Sequence, residues 1–209
     1  MKELILVGAG GFGRELLHWI KVINRENNKW VIKGFIDDNL KALEGYECDY
    51  KVIGRIDDWL PVPSEVFACA IAHPQTKERV VKKLKSRGAV FERIIHPQAS
   101  IGEFNKIGEG LIMYPKAVVT VNVTIGDFVT LLSSAGHDVT IGDYSTISSF
   151  CGLNGNVKIG KRVFLGSHVA IVPGRKIGDD AFLAAGSVVV TNVKANKKVM
   201  GNPAKTMHF

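Results

Sequence analysis

One histidine stands at a break in an otherwise regular pattern of aliphatic residues. His137 occupies a position where that pattern calls for an aliphatic side chain, and Asp138 follows it directly. An imidazole can accept a proton near neutral pH, and an adjacent carboxylate can hold its tautomer. Because breaks in a strict pattern tend to mark functional sites, we predict that His137 is a general base. The alternative interpretation is that His137 only caps a distorted turn.

A glycine-rich segment near the N-terminus is the second candidate site. Gly8, Gly10 and Gly13 satisfy the pattern GxGxxG, and Asp37 follows Gly13 by 24 residues. This spacing is typical of a dinucleotide site, so an NAD-dependent oxidoreductase is one alternative function. However, fewer than a hundred residues precede the point at which helix-forming runs end and a short repeat begins. This length is enough for only half of a doubly wound sheet. The same glycines let any nucleotide diphosphate approach the amides at a helix N-terminus.

The elements that position this segment alternate between strand and helix. Apolar, β-branched runs predict strands at 4–7, 31–36 and 66–72, and charged amphipathic runs predict helices at 13–24 and 77–87. Each helix follows a strand, which is typical of right-handed crossovers and a parallel sheet. We predict a Rossmann-like βαβ domain over residues 1–97, with ligands bound beyond the carboxyl ends of its strands.

The chain after Pro97 carries an internal repeat with a period of six. Every sixth residue from Ile101 to Leu131, and again from Ile141 to Val189, is aliphatic or Met. Glycine follows this key position at spacings of 16 or 18 residues, so one turn comprises three hexapeptides. A helix would need a period near 3.6, so we predict a triangular parallel β-solenoid over residues 98–209. The turn that contains His137 is two residues short.

Composition narrows the class of protein. The 209 residues are 46% hydrophobic and 22% charged, with three scattered cysteines, which favours a folded protein of a reducing compartment. The absence of a membrane-spanning run and of a signal region predicts a cytoplasmic protein. The net charge of +7 forms no cluster with interleaved aromatic residues, so we expect an even positive bias and no nucleic-acid partner. The coils hold only two histidines, too few for a three-histidine zinc site, and we expect no metal.

The chain resembles the NeuD/PglD family of hexapeptide-repeat sugar acetyltransferases. The resemblance rests on VGAGGFGRE, GFIDD, IIHP, GHDVTIGDYSTIS and GNPAK, and it extends over essentially the whole chain. It implies a left-handed β-helix, a homotrimer, acetyl-CoA lying along the helix edge between subunits, and a nucleotide-activated or acidic sugar as the acceptor. The implied function is transfer of an acetyl group to a sugar amine or hydroxyl in bacterial surface-glycan biosynthesis.

The resemblance also implies residue roles. His137 is the base that deprotonates the acceptor, and Asp138 orients it. The acceptor site comprises Gly10, Gly11, Phe12, Asp37, Asp38 and Ala72. The acetyl-CoA site comprises Thr146, Ser167, Ala185 and Lys205. The two aspartates have an alternative interpretation, in which they only end a strand and open a turn. Relatives often carry histidine where this chain has Phe12, so a non-catalytic, nucleotide-sugar-binding solenoid is a further alternative.

Overall fold

The computed structural model describes residues 1–207, which form two compact units. The first contains Met1–Ala72 and Thr76–Ile94, and the second contains His73–Gln75 and the chain from Ile95 onward. The boundary predicted at residue 97 lies two residues from Ile95, where the main segment of the second unit begins.

The first unit is a four-stranded parallel sheet with two helices. Its strands are β1 (Lys2–Val7), β2 (Trp30–Ile36), β3 (Val52–Gly54) and β4 (Glu65–Cys69), in the order β3-β2-β1-β4. Its helices are α1 (Gly11–Asn27) and α2 (Pro74–Lys85). The centre of the sheet is fully buried at Leu4–Val7, as expected for an apolar strand with neighbours on both sides. The short strand β3 was not predicted, because three residues carry too little periodicity to identify a strand.

Two glycines allow α1 to pack closely on β1. A Cβ on Gly13 would lie 2.1 Å from the carbonyl oxygen of Gly8, and Gly8 itself has a φ of 100°. No other residue type fits these two positions without moving the backbone. The apolar face of α1 then buries Leu16, Leu17 and Ile20.

The second unit is a parallel β-helix whose short strands form three sides. Side 1 contains β5 (Ile94–Ile95), β8 (Ile112–Met113), β11 (Thr130–Leu131), β14 (Thr146–Ile147), β17 (Phe164–Leu165), β20 (Phe182–Leu183), β22 (Lys198–Met200) and β23 (Lys205–Thr206). Side 2 contains β6 (Ser100–Ile101), β9 (Val118–Val119), β12 (Ser134–Ala135), β15 (Gly152–Leu153), β18 (Ala170–Ile171) and β21 (Val188–Val189). Side 3 contains β7 (Lys106–Ile107), β10 (Thr124–Ile125), β13 (Thr140–Ile141), β16 (Lys158–Ile159) and β19 (Lys176–Ile177).

The second residue of each strand from β8 to β21 points into the solenoid, as the six-residue period predicts. From Met113 to Val189 these residues stack into one continuous apolar core. The first coil is the exception, because Ile101 is 38% exposed at the open end of the stack. The predicted fold class, a Rossmann-like βαβ unit followed by a β-helix, is confirmed.

The turn of the solenoid that contains His137 is two residues short, but the missing residues are not at His137 as the sequence suggested. Ala135 pairs in register with Val119 and Leu153, so it fills the inward position four residues after Leu131. The shortened segment is therefore the corner formed by Leu132 and Ser133, between sides 1 and 2. The prediction that His137 replaces an inward aliphatic residue is wrong, because the corner before β12 has already absorbed the deficit.

A lysine buried in α2 gives the first unit a pH-dependent stability. Lys77 is 1% exposed, and burial lowers its pKa to about 7. The unfolded chain, with a lysine pKa near 10.4, binds more protons than the folded chain between these two values. The free energy of unfolding is therefore expected to rise as pH increases from about 7 to about 10.

Lys77→Met tests this prediction. The variant is expected to gain stability relative to the native chain at pH 6 and to lose that advantage progressively above pH 7. Urea unfolding across this range measures the difference. Lys82→Met, on the same helix but with a 66% exposed side chain, is the control and should show no such trend. A constant Lys77→Met difference from pH 6 to pH 10 would contradict the argument.

Candidate active site

His137 and Asp138 lie at the corner between sides 2 and 3, directly after β12. The Nδ1 atom of His137 is 2.8 Å from Oδ2 of Asp138. Asp138 takes a left-handed backbone conformation with a φ of 61°, and its amide donates to the carbonyl of Val121. Since a carboxylate can only accept, Nδ1 carries the proton in this contact, and in the neutral imidazole Nε2 then keeps its lone pair. The imidazole is 60% exposed, so Nε2 is accessible to a substrate.

Gly155, which was not among the residues predicted from the sequence, lies beneath the imidazole. A Cβ on Gly155 would be 2.3 Å from both Cε1 and Nε2 of His137. The backbone there is not left-handed, so the neighbouring ring, rather than the backbone conformation, requires glycine. The register offers the signal that was overlooked, because His137 and Gly155 each come two residues after an inward residue on paired strands, Ala135 and Leu153.

The first unit gathers its predicted site residues at one edge of the sheet. Val7 pairs with Ile36 on one side and with Cys69 on the other, so the segments after β1, β2 and β4 leave the same edge. These segments hold the whole predicted acceptor set, Gly10, Gly11, Phe12, Asp37, Asp38 and Ala72.

The two aspartates of this edge already hold the loops together. Asp37 accepts from the amide of Ala9 through Oδ2 at 2.8 Å and from the amide of Asn39 through Oδ1 at 2.9 Å. Asp38 accepts from the amide of Asp57 through Oδ1 at 3.0 Å. These bonds favour the alternative interpretation, in which both residues shape turns. Each oxygen keeps a second lone pair that can accept from a ligand.

Gly10 and Gly11 differ from Gly8 and Gly13, because no close neighbour in the folded chain excludes a side chain at their positions. A Cβ on Gly10 would meet nothing within 4 Å, and one on Gly11 would meet only Nη2 of Arg14 at 3.9 Å. Gly10 is the N-cap of α1, with no side-chain cap and no acidic residue in the first turn. The first amides of a helix have no intrahelical acceptor, so this end suits an anionic group.

Gly10→Ala separates ligand binding from folding. The φ of −68° at Gly10 accepts alanine, so stability is expected to change by less than about 1 kcal/mol. The new methyl occupies the open space beside the helix N-terminus. The Kd for the nucleotide that binds the native chain, UDP or GDP, is expected to rise at least about tenfold, which corresponds to a loss of ~1.4 kcal/mol of binding free energy. Gly13→Ala is the matched variant and should lower stability by about 1–3 kcal/mol through overpacking. Unchanged nucleotide affinity in Gly10→Ala would contradict the site.

The predicted acetyl-CoA residues lie away from His137 within one chain. Ser167 and Ala185 sit at equivalent positions of the corner between sides 1 and 2. Thr146 lies on side 1 and is 2% exposed, and Lys205 lies in the terminal strand β23. The structure brings Ser167 and Ala185 together but does not bring this set to the corner that holds His137.

The two buried thiols, Cys69 and Cys151, are poorly suited to nucleophilic attack. Burial raises the pKa of Cys69 to about 11 and that of Cys151 to about 11, which disfavours the thiolate. Within residues 1–207, no group of three or more His, Cys, Asp or Glu side chains is arranged to hold a metal ion. No helix in this range has the length and apolar character needed to cross a membrane.

Two family models match successive parts of the chain. Residues 3–84 match the PglD N-terminal domain, and residues 156–191 match the bacterial transferase hexapeptide with six repeats. A GDP-perosamine N-acetyltransferase from Escherichia coli O157:H7 is 32% identical over 97% of this chain and 95% of its own length. The chain belongs to the NeuD/PglD-type family of hexapeptide-repeat acyltransferases. The predicted resemblance and the predicted enzyme class, acyltransferase, are therefore confirmed.

Solved structures share the fold of this chain. WeeI from Acinetobacter baumannii AYE is 27% identical with a TM-score of 0.80, over 99% of this chain and 100% of the other. The acetyltransferase domain of PglB from Neisseria gonorrhoeae FA1090 has a TM-score of 0.89 at 24% identity, over 99% and 100% of the two chains. PerB from Caulobacter crescentus, solved with CoA and GDP-perosamine, has a TM-score of 0.88 at 22% identity and covers 100% and 98%.

Proposed function

We propose that this acyltransferase transfers an acetyl group from acetyl-CoA to an amino group of a nucleotide-linked sugar, in the cytoplasm, during bacterial surface-glycan biosynthesis. The pairing of His137 with Asp138 at an accessible corner carries the proposal, since it provides an oriented base. The N-acetyltransferase named for GDP-perosamine, similar over nearly the full chain, favours an amine over a hydroxyl and a nucleotide-linked over a free acidic sugar. The nucleotide would bind at Gly10 and Gly11.

The residues of the corner account for the proton transfers. Nε2 of His137 accepts the proton that the acceptor amine loses as its nitrogen attacks the thioester carbonyl. The Asp138 carboxylate stabilises the imidazolium that results. The same proton then passes from Nε2 to the sulfur of the departing CoA, so His137 returns to its starting state. No cysteine and no metal ion takes part in these steps.

We propose a homotrimer, as the family resemblance implies, and the placement of the two parts of this site supports a site shared between copies. His137 lies at one edge of side 2, and Ser167 and Ala185 lie at its other edge. A donor that touches both sets has to bind between the His137 corner of one copy and the Ser167 corner of another. Closed rotational symmetry then repeats the site around an axis, and the resemblance to the NeuD/PglD family implies three copies. A catalytically active monomer would contradict this arrangement.

Thermal stabilisation by candidate ligands tests the proposed function. A ligand at 100 times its Kd adds about 2.7 kcal/mol to the free energy of unfolding. We expect stabilisation by acetyl-CoA and by one nucleotide-linked sugar in a panel of UDP-, GDP-, dTDP- and CMP-sugars, and none by NAD. Stabilisation by NAD alone would overturn the proposal. Stabilisation by a nucleotide sugar without any by acetyl-CoA would favour the non-catalytic binding subunit.

A further inference from the structure

An aromatic side chain is exposed at the corner between sides 1 and 2. Phe150 is 74% exposed and takes a left-handed backbone conformation with a φ of 62°, which is unfavourable for a bulky residue. Phe128 has the same type of conformation at another corner, but its ring is 1% exposed and stacks on Tyr144. Phe150 has no comparable burial, so packing within this chain does not account for its ring.

The short corner before β12 explains why the Phe150 ring is exposed. One face of the ring stacks on His168 of the next coil. On the preceding coil the corner consists of Leu132 and Ser133, and neither has the left-handed conformation that would place a residue opposite Phe150. The two missing residues therefore leave the second face of the ring open.

The same deficit leaves a backbone donor at this corner. In the next coil the equivalent amide, that of His168, donates to the carbonyl of Ser149, and this bond is repeated one coil later at Gly186. Within residues 1–207 the Phe150 amide has no such acceptor, because the short corner places no carbonyl opposite it. An open aromatic face beside this N–H suits a ligand that has both apolar C–H groups and oxygen acceptors.

Phe150 belongs to the corner that we propose to face His137 of another copy. Along this corner Phe150 precedes β15, Ser167 precedes β18 and Ala185 precedes β21. His137 follows β12, the strand that pairs with β15. Since neighbouring coils are about 4.8 Å apart, Phe150 lies one coil from the level of His137, and the two predicted donor residues lie two and three coils from it. A rotation axis along the solenoid keeps these levels, so Phe150 is the member of this set nearest His137.

We infer that Phe150 of one copy binds the sugar of the acceptor that is acetylated at His137 of another copy. This inference rests on the proposed function. The donor occupies the coils of Ser167 and Ala185, so the acceptor amine approaches the thioester from the other side, where Phe150 lies. A pyranose ring has a face of C–H groups that packs on an aromatic ring, and its hydroxyl oxygens accept from an amide such as that of Phe150. His168 lies behind the ring and has no contact with the sugar.

Steady-state kinetics of Phe150→Ala test the inference on the full chain. The KM for the nucleotide-linked sugar is expected to rise about tenfold, because the sugar loses one aromatic contact. The KM for acetyl-CoA, kcat and the Kd of the free nucleoside diphosphate should stay within about twofold of the native values. Phe150→Tyr keeps the ring and should have the native KM. Phe104→Ala is the matched control, because Phe104 is 79% exposed with a φ of 59° at a corner of the first coil.

Mixed oligomers show whether the ring and the base come from different copies. His137→Asn keeps Phe150, and Phe150→Ala keeps His137, so a site formed across two copies can combine both native side chains. Phe150→Ala is co-expressed with an excess of His137→Asn, and the mixed oligomers are purified through a tag on the Phe150→Ala chain. At acceptor concentrations well below KM, the rate per Phe150→Ala chain is expected to rise about tenfold over that of Phe150→Ala alone.

The outcomes separate this inference from the proposed function. A native acceptor KM in Phe150→Ala, or an equal rise in Phe104→Ala, overturns the sugar site and leaves acetyl transfer untouched. A rise in the KM for acetyl-CoA instead of the acceptor also overturns it, because the ring then binds the donor. A rate that mixing does not raise overturns the contribution of a second copy. Absence of acetyl transfer by the native protein overturns the proposed function together with the inference.

Discussion

Replacing His137 with asparagine is expected to lower kcat/KM for acetyl transfer by roughly 10²–10⁴-fold, the usual contribution of a positioned general base. The loss should appear mainly in kcat, because the side chain acts on the proton of the attacking amine rather than on binding. Steady-state kinetics with saturating acetyl-CoA measure it. The imidazole is 60% exposed, so the melting temperature should hardly change.

A second histidine of the solenoid provides the control for this variant. His168 stacks on Phe150 at the corner between sides 1 and 2, with ring centroids 4.9 Å apart. His168→Asn should leave kcat within about twofold of the native value, because we assign no proton transfer to that corner. Acetyl transfer at the native rate in His137→Asn would show that the base lies elsewhere.

Gly155→Ala is expected to lower kcat without unfolding the protein. The new methyl would overlap the imidazole at 2.3 Å, and the backbone conformation of Gly155 accepts alanine, so the ring has to move. Misplacement of a catalytic group by about 1 Å can lower the rate by roughly 100-fold. We expect a decrease of this order in kcat and a small change in KM for acetyl-CoA.

Two comparisons distinguish repositioning of His137 from a general loss of structure. Gly152→Ala lies in the same coil, where a Cβ would meet nothing within 4 Å, and it should keep nearly full activity. In the His137→Asn background, Gly155→Ala should add little further loss, because both changes act on one group. Multiplicative losses in the double variant would mean that Gly155 does not act through His137.

The solenoid could be predicted from the sequence, because each inward position has to hold an aliphatic residue and these positions recur along the chain. A side chain that enters a triangular core every six residues has to be aliphatic, and this need is visible without knowledge of the contacts. The two missing residues were harder to place. A count of spacing between Leu131 and Ile141 shows that the turn is short, but only the pairing of Ala135 with Val119 and Leu153 shows which corner is short.

The candidate site depends more strongly on contacts between distant residues. The proximity of His137 to Asp138 follows from adjacency in the chain, so it was predictable. The position of Gly155 under the imidazole depends on the register between coils, which the sequence implies only after the short corner is placed correctly. Likewise, Gly10 and Gly13 look equivalent in GxGxxG, yet packing requires only Gly13, and Gly10 faces open space.

Direct detection of acetyl transfer tests the proposed function. Purified protein is incubated with acetyl-CoA and each nucleotide-linked amino sugar in turn, and mass spectrometry follows the sugar product while a thiol reagent follows CoA. We expect one acceptor that gains a single acetyl group at the rate of CoA release, with both signals lost in His137→Asn. Stoichiometric acetylation that persists in His137→Asn would contradict it, as would failure of every amino sugar in the panel while a hydroxyl acceptor is modified.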